Sequence, residues 1–149
     1  VIVGDGSERL SLERAANDLG LSGAIHFVGW RNDIEHLLAA FSVFAMSSHS
    51  EGTSVSLLEA MSAGVPPVVT DVGGNADVLG PTLSHRLVPP SDPAALAVCL
   101  ANALRDPDAL ARDSATARAR VLERFSLDAM VNRYEALYRE GATVDNRTQ

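Results

Sequence analysis

Short apolar runs alternate along the chain with longer stretches in which apolar residues recur at helical spacing. Val1-Ile2-Val3-Gly4 predicts a buried strand ended by Asp5-Gly6. Leu12, Ala15, Ala16 and Leu19 then share one face of a predicted helix from about Ser7 to Leu19, with Gly20 as its stop. Ala24 to Val28 predicts a second strand ending at Gly29, after which Asn32 or Asp33 caps a short helix through about Ala40. Ser42 to Met46 predicts a third strand, and the polar stretch Ser47 to Ser54 leads into a helix from about Val55 to Ala63, closed by Gly64 and Pro66. Pro67 to Thr70 and Arg86 to Val88 predict two more short strands, with a helical turn from Asn75 to Leu79 between them. Beyond Pro89-Pro90 the pattern is wholly helical. Ser91 or Asp92 caps a helix beginning at Pro93, and further helices cover about Asp108 to Glu123 and Leu127 to Glu140. Gly141 to Gln149 reads as a loose tail.

Strands separated by helices predict βαβ units, and so an α/β domain with a Rossmann-like, doubly wound parallel sheet and a helical C-terminal region. In such sheets ligands sit beyond the carboxyl ends of the strands. That rule selects four loops: Asp5-Gly6, Gly29-Trp30-Arg31, Ser47 to Ser54 and Val72-Gly73-Gly74.

Composition narrows the chemistry these loops can perform. The 149 residues are 46% hydrophobic and carry twelve Lys+Arg against nineteen Asp+Glu, a net charge of −7, with no basic stripe for nucleic acid. All of the basic residues are Arg, which excludes a Schiff-base lysine or a P-loop lysine within this chain. One cysteine, Cys99, excludes an internal disulfide framework and reads as a small hydrophobe in an apolar helix. No apolar stretch reaches the ~20 residues of a transmembrane helix, and no signal segment opens the chain, so a cytoplasmic domain is expected. The start inside an apolar run, without Met, predicts a fragment of a larger protein.

Several motifs favour plain readings. Gly4-Asp5-Gly6-Ser7-Glu8-Arg9 resembles the start of a dinucleotide fingerprint, but Arg9 replaces the third glycine, and a strand-to-helix turn explains it better. His26, His36, His49 and His85 fall on different elements without ligand spacing, so no metal is expected. Ser47, Ser48 and Ser50 surround His49 without a GxSxG elbow and read as loop and cap residues. Asn146-Arg147-Thr148 is a chance sequon. Trp30 and Arg31 offer flat groups that suit a nucleobase, while the plainer alternative has Trp30 covering a sheet edge.

The strongest constellation is Ser50-Glu51-Gly52-Thr53-Ser54-Val55-Ser56-Leu57-Leu58-Glu59, with seven residues between its two carboxylates. Glu51 falls in a strand-end loop and Glu59 about one turn into the next helix. Between them the N–H groups of Thr53 to Ser56 form a helix N-terminus, whose dipole favours an anion by about 0.3–1 kcal/mol, or ~2 when partly buried. Hydroxyl acceptors on both sides of a phosphate cradle suit a nucleoside diphosphate sugar. The plainer alternative makes Glu51 the helix cap and Glu59 a solvated helix residue.

Extended to Ser62-Ala63-Gly64-Val65-Pro66, this run resembles the Glu-x7-Glu motif of the retaining GT-B glycosyltransferases, known as glycosyltransferase group 1 or family four. Val69-Thr70-Asp71-Val72-Gly73-Gly74 is similar to the family's following glycine loop, and Val1 to Gly6, Phe27 to Trp30 and Phe125 to Arg139 also fit. The resemblance implies that residues 1–140 are a nucleotide-sugar donor domain, one half of a GT-B fold, truncated at its N-terminus. It implies that Glu51 contacts the donor sugar as the catalytic carboxylate and that Gly52, Thr53, Ser54 and Val55 bind sugar and diphosphate. Glu59 would bind the ribose, and Gly29, Trp30 and Arg31 would border the base. It further implies hexosyltransferase-like activity in bacterial polysaccharide or envelope glycoconjugate synthesis, with no metal or other cofactor. Its partners would be a nucleoside diphosphate sugar and a missing N-terminal acceptor domain, through which the protein could touch the inner membrane.

Departures from the family pattern temper this. The family's phosphate-neutralising Arg and Lys, which precede the Val1 strand, are absent, so the isolated fragment is expected to be inactive. Asp77 stands in place of a usual Glu, Pro67 in place of a usual Val, and the glycine usual near His85-Arg86 is missing. Met130, Val131, Tyr134, Leu137 and Tyr138 form an apolar face expected to be partly exposed in the isolated chain. A non-catalytic nucleotide-binding module and a nucleotide-sugar epimerase-like domain are the alternatives.

Overall fold

A computed structural model describes residues 1–145, with side chains through residue 140. It divides into two compact units, residues 1–37 and 38–149. In the first, α1 (Arg9–Asp18) stands between two extended segments. The strands expected at Val1–Val3 and Ala24–Val28 reduce to a single parallel bridge between Ile2 and Phe27. Around it Ile2 N–H donates to His26 O at 2.8 Å, Val28 N–H to Ile2 O at 3.0 Å and Gly4 N–H to Gly29 O at 2.8 Å. The expected apolar face of α1 buries only Ala16, while Leu12 and Leu19 remain exposed. Arg9, at the third-glycine position, donates to Glu13 at 2.9 Å and to Phe27 O at 3.3 Å, and the chain passes from the Ile2 bridge through a turn at Ser7–Glu8 into α1. The short helix α2 is Ile34–Ala39.

The second unit holds a parallel sheet in the order β1 (Phe44–Met46), β2 (Pro67–Thr70) and β3 (Leu87–Val88). Phe44 pairs with Pro67 and Met46 with Val69, while Val69 and Thr70 pair with Leu87 and Val88. Pro67 is the first residue of β2, a strand position at which its missing N–H is tolerated. Helices α3 (Val55–Ser62) and α4 (Asn75–Leu79) follow β1 and β2, and a 3-10 helix, Pro81–Arg86, leads into β3. Then come α5 (Pro93–Arg105), α6 (Pro107–Arg124) and α7 (Leu127–Asp145).

Period-two alternation along β2 sends its side chains into two cores. Val69 joins Leu57, Met61, Val78, Leu79, Leu83, Ala117 and Val121 on the face covered by α3, α4 and α6. Val68 joins Val88 and Ala103 on the opposite face, where Cys99 packs as a small hydrophobe. Helices on both faces make the sheet doubly wound, as expected.

Arg86, expected to open a strand, instead ends the 3-10 helix because its side chain is claimed by a distant partner. The guanidinium is buried and donates from Nε to Asp113 Oδ2 of α6 at 2.7 Å, and His85 meets the same oxygen at 3.0 Å. Asp92, rather than Ser91, caps α5 by accepting from Ala95 N–H at 2.9 Å. Helix α7 runs past Glu140 to Asp145, the sequon lies outside the described residues, and Met130, Val131, Tyr134, Leu137 and Tyr138 are all exposed, as expected. Among the described residues no helix is long and apolar enough to cross a membrane.

Candidate functional site

Two loops leave the carboxyl ends of adjacent parallel strands, residues 47–54 after β1 and residues 71–74 after β2, and they pack directly on one another. Gly74 N–H donates to Gly52 O at 2.9 Å. Gly73 has φ +53, and a Cβ there would collide with the Glu51 carbonyl; one on Gly74 would lie 2.8 Å from Gly52 O. The glycine pair is therefore what lets the second loop lie against the Glu51–Gly52 backbone.

Ser54, not Glu51, caps α3: its buried Oγ accepts from Leu57 N–H at 3.4 Å. The physical reason is reach, since a serine hydroxyl adjoining the first helical residue folds back on the third helical amide. Glu51 is thereby freed. Its Oε1 accepts from Ser48 Oγ at 2.7 Å, and Oε2 has no partner among the described residues. The amides of Gly52, Thr53, Ser54, Val55 and Ser56 likewise donate to no protein acceptor among the described residues. Val55 is 67% exposed at the first helical position. One turn on, Glu59 is exposed, and its carboxylate carries no hydrogen bond or ion pair among the described residues. The arrangement offers an anion the N-terminus of α3 and the amides of the loop before it, with Glu51 ahead of them in the chain and Glu59 after.

Behind the loops the structure brings in residues that sequence reasoning passed over. Thr70 Oγ1 donates to Ser48 O at 2.7 Å, and the fully buried Asn75 donates from Nδ2 to Thr70 O at 2.9 Å. Asn75 Oδ1 has no partner among the described residues. The spacing of Ser48 three residues before Glu51 was the available signal. Asp77 contributes its carbonyl, which accepts from Arg120 at 2.7 Å, while its side chain is exposed.

Gly29, Trp30 and Arg31 belong to the first unit. Gly29 is buried with φ +68, a conformation that favours glycine, and Trp30 is 84% exposed, so it covers no sheet edge. Arg31 donates from Nε to Asp33 Oδ1 at 2.8 Å and from its terminal nitrogen to Oδ2 at 2.5 Å. This fork occupies the guanidinium edge and leaves its faces open. Hydrogen bonding from Arg31 holds the Asp33 carboxyl below its ordinary range. No cluster of three metal-ligating side chains occurs among the described residues.

The chain is similar in sequence and in fold to known proteins. The chain is 45% identical over 69 residues to a lipopolysaccharide core biosynthesis glycosyltransferase of Rhizobium meliloti (strain 1021), covering 46% of this chain and 20% of that protein. It is 34% identical over 109 residues to a 2-deoxystreptamine glucosyltransferase of Streptomyces kanamyceticus, covering 72% of this chain and 28% of that protein. The crystal structure of Anabaena HepE in complex with UDP superposes with a TM-score of 0.84 at 26% identity, covering 93% of this chain and 40% of that chain. The chain thus spans between a fifth and two fifths of the length of these proteins. Residues 1–120 match the sequence profile described as glycosyl transferases group 1, and the chain belongs to that family.

Proposed function

We propose that the chain is the donor-binding domain of a retaining glycosyltransferase that moves a sugar from a nucleoside diphosphate sugar to an acceptor in bacterial polysaccharide or envelope glycoconjugate synthesis. The observation that carries the reading is the run of amides from Gly52 to Ser56, unpaired among the described residues, between the carboxylates of Glu51 and Glu59. The amides take the diphosphate, Glu51 accepts from hydroxyls of the donor sugar, and Glu59 accepts from the ribose hydroxyls. On the family resemblance, Gly29, Trp30 and Arg31 border the base. The bond from the anomeric carbon to phosphate oxygen breaks while one to the acceptor oxygen forms on the same face of the sugar. Charge gathering on the departing diphosphate is met by the α3 N-terminus, which makes a resident metal or other cofactor unnecessary. The acceptor binds a separate N-terminal domain, and the family's phosphate-neutralising Arg and Lys stand on a strand-loop unit that precedes the Val1 segment. The protein works in the cytoplasm, touching the inner membrane through that domain.

The relatives' names, a lipopolysaccharide core glycosyltransferase among them, support the sugar-transfer class. The UDP complex of HepE makes UDP the first nucleotide to try. The test is a backbone NMR titration with UDP, GDP and ADP in turn. One of them should shift the amides of residues 52–59 saturably, and Glu59→Ala should weaken that binding by roughly ten- to a hundred-fold, the worth of a charge-assisted hydrogen bond. Saturable binding that leaves those amides unmoved and ignores Glu59→Ala would refute the assignment.

A further inference from the structure

Three hydrogen bonds run in sequence from the start of α4 to the Glu51 carboxylate. Asn75 Nδ2 donates to Thr70 O at 2.9 Å, Thr70 Oγ1 donates to Ser48 O at 2.7 Å, and Ser48 Oγ donates to Glu51 Oε1 at 2.7 Å. Asn75 and Thr70 are buried at 0% and 3% exposure, so one end of this chain is anchored in the interior, and its last acceptor is a carboxylate in a loop. A loop glutamate left to itself samples many rotamers, and fixing such a side chain on binding costs conformational entropy. We infer that Ser48 is a positioning residue for Glu51, and that Thr70 holds Ser48 in place. Ser48 occupies Oε1 and leaves Oε2 for a ligand, so the carboxylate meets the donor sugar already oriented. The bond from Thr70 is made to the Ser48 backbone, which leaves the Ser48 hydroxyl free to donate to Glu51 and sets the direction from which it does so.

The inference rests on the proposed role of Glu51 at the sugar, and the test separates the two. In the complete protein that carries this chain, affinities are measured by calorimetry for UDP-glucose against UDP, UDP-N-acetylglucosamine against UDP, and GDP-mannose against GDP, and the tightest pair is kept. The readout is the ratio of sugar-nucleotide to nucleotide affinity, which a merely structural defect would leave unchanged because both ligands share the diphosphate cradle. Ser48→Ala should lower that ratio about tenfold with nucleotide affinity intact, Ser48→Thr should restore it by returning the hydroxyl, and Thr70→Val should lower it less. Glu51→Gln is the control. If Glu51→Gln leaves the ratio unchanged, or no pair binds, the reading of Glu51 fails and the inference with it. If Glu51→Gln lowers the ratio while Ser48→Ala does not, Glu51 stands and the positioning role of Ser48 is overturned.

Discussion

Residues 1–37 and the unit that follows start from the same strand-helix pattern and reach opposite degrees of burial. In the second unit β2 is buried along its whole length and feeds a core on each face of the sheet. Its buried ion pair joins Arg86 to Asp113 across 27 residues of sequence. In the first unit one bridge replaces a sheet, α1 buries Ala16 alone, and Leu10, Leu12 and Leu19 face outward. Its ion pairs are local, Arg9 with Asp5 and Glu13, and Arg31 with Asp33. The difference shows that an amphipathic period specifies which face of a helix is apolar, whereas burial of that face requires elements to receive it.

The strongest way to break this comparison is Asp113→Ala, which strands the buried Arg86 guanidinium and should destabilise the second unit by about 3–5 kcal/mol, read from urea denaturation. An effect below about 1 kcal/mol would mean that the pair is solvated. Leu57→Ala empties part of the core under α3 and should cost about 2–5 kcal/mol in the same assay. Native-state hydrogen exchange should then find β2 amides opening only with the whole unit, while the amides of Ile2 and Val28 exchange by local opening. Equal protection in both would erase the contrast. Leu19→Ala in the first unit should change stability by less than about 0.5 kcal/mol, because that side chain is 72% exposed.

The smallest effect concerns Asp33. Hydrogen bonding from Arg31 lowers its folded-state pKa below the ordinary 3.8, so its stabilisation is fully present above that pH and fades as the pH falls through the folded value. Arg31→Ala should return the carboxyl to its ordinary titration, followed by NMR. Added salt should shrink the difference, since the pair is solvent-exposed.

The glycines of the second loop were legible as a motif, but their reason was not. Gly73 is needed because its neighbour in space is the Glu51 carbonyl, 22 residues earlier, an approach that no local pattern encodes. Cap chemistry read well at Asp92, where the side chain acts on an amide three residues away. It failed at Glu51, the cap in the plainer alternative, because the hydroxyl that folds back on the Leu57 amide is that of Ser54. The Arg86–Val88 strand was overextended because a buried cation reads like any other polar residue until its partner on another helix is known.

Taken alone, the amino-acid order determined the alternation of strands and helices, the loops that carry chemistry, the spacing of the two carboxylates and, through its motifs, the family resemblance. Each depends on residues a few positions apart, linked by the backbone. Only the tertiary structure decided that Ser54 caps α3 and that Gly73 and Gly74 lie on the Glu51 loop. It alone decided that Arg86 is buried against Asp113, and that Asn75, Thr70 and Ser48 lead by hydrogen bonds to Glu51. Those contacts join elements far apart in sequence, and their geometry exists only once the sheet has placed its strand ends side by side.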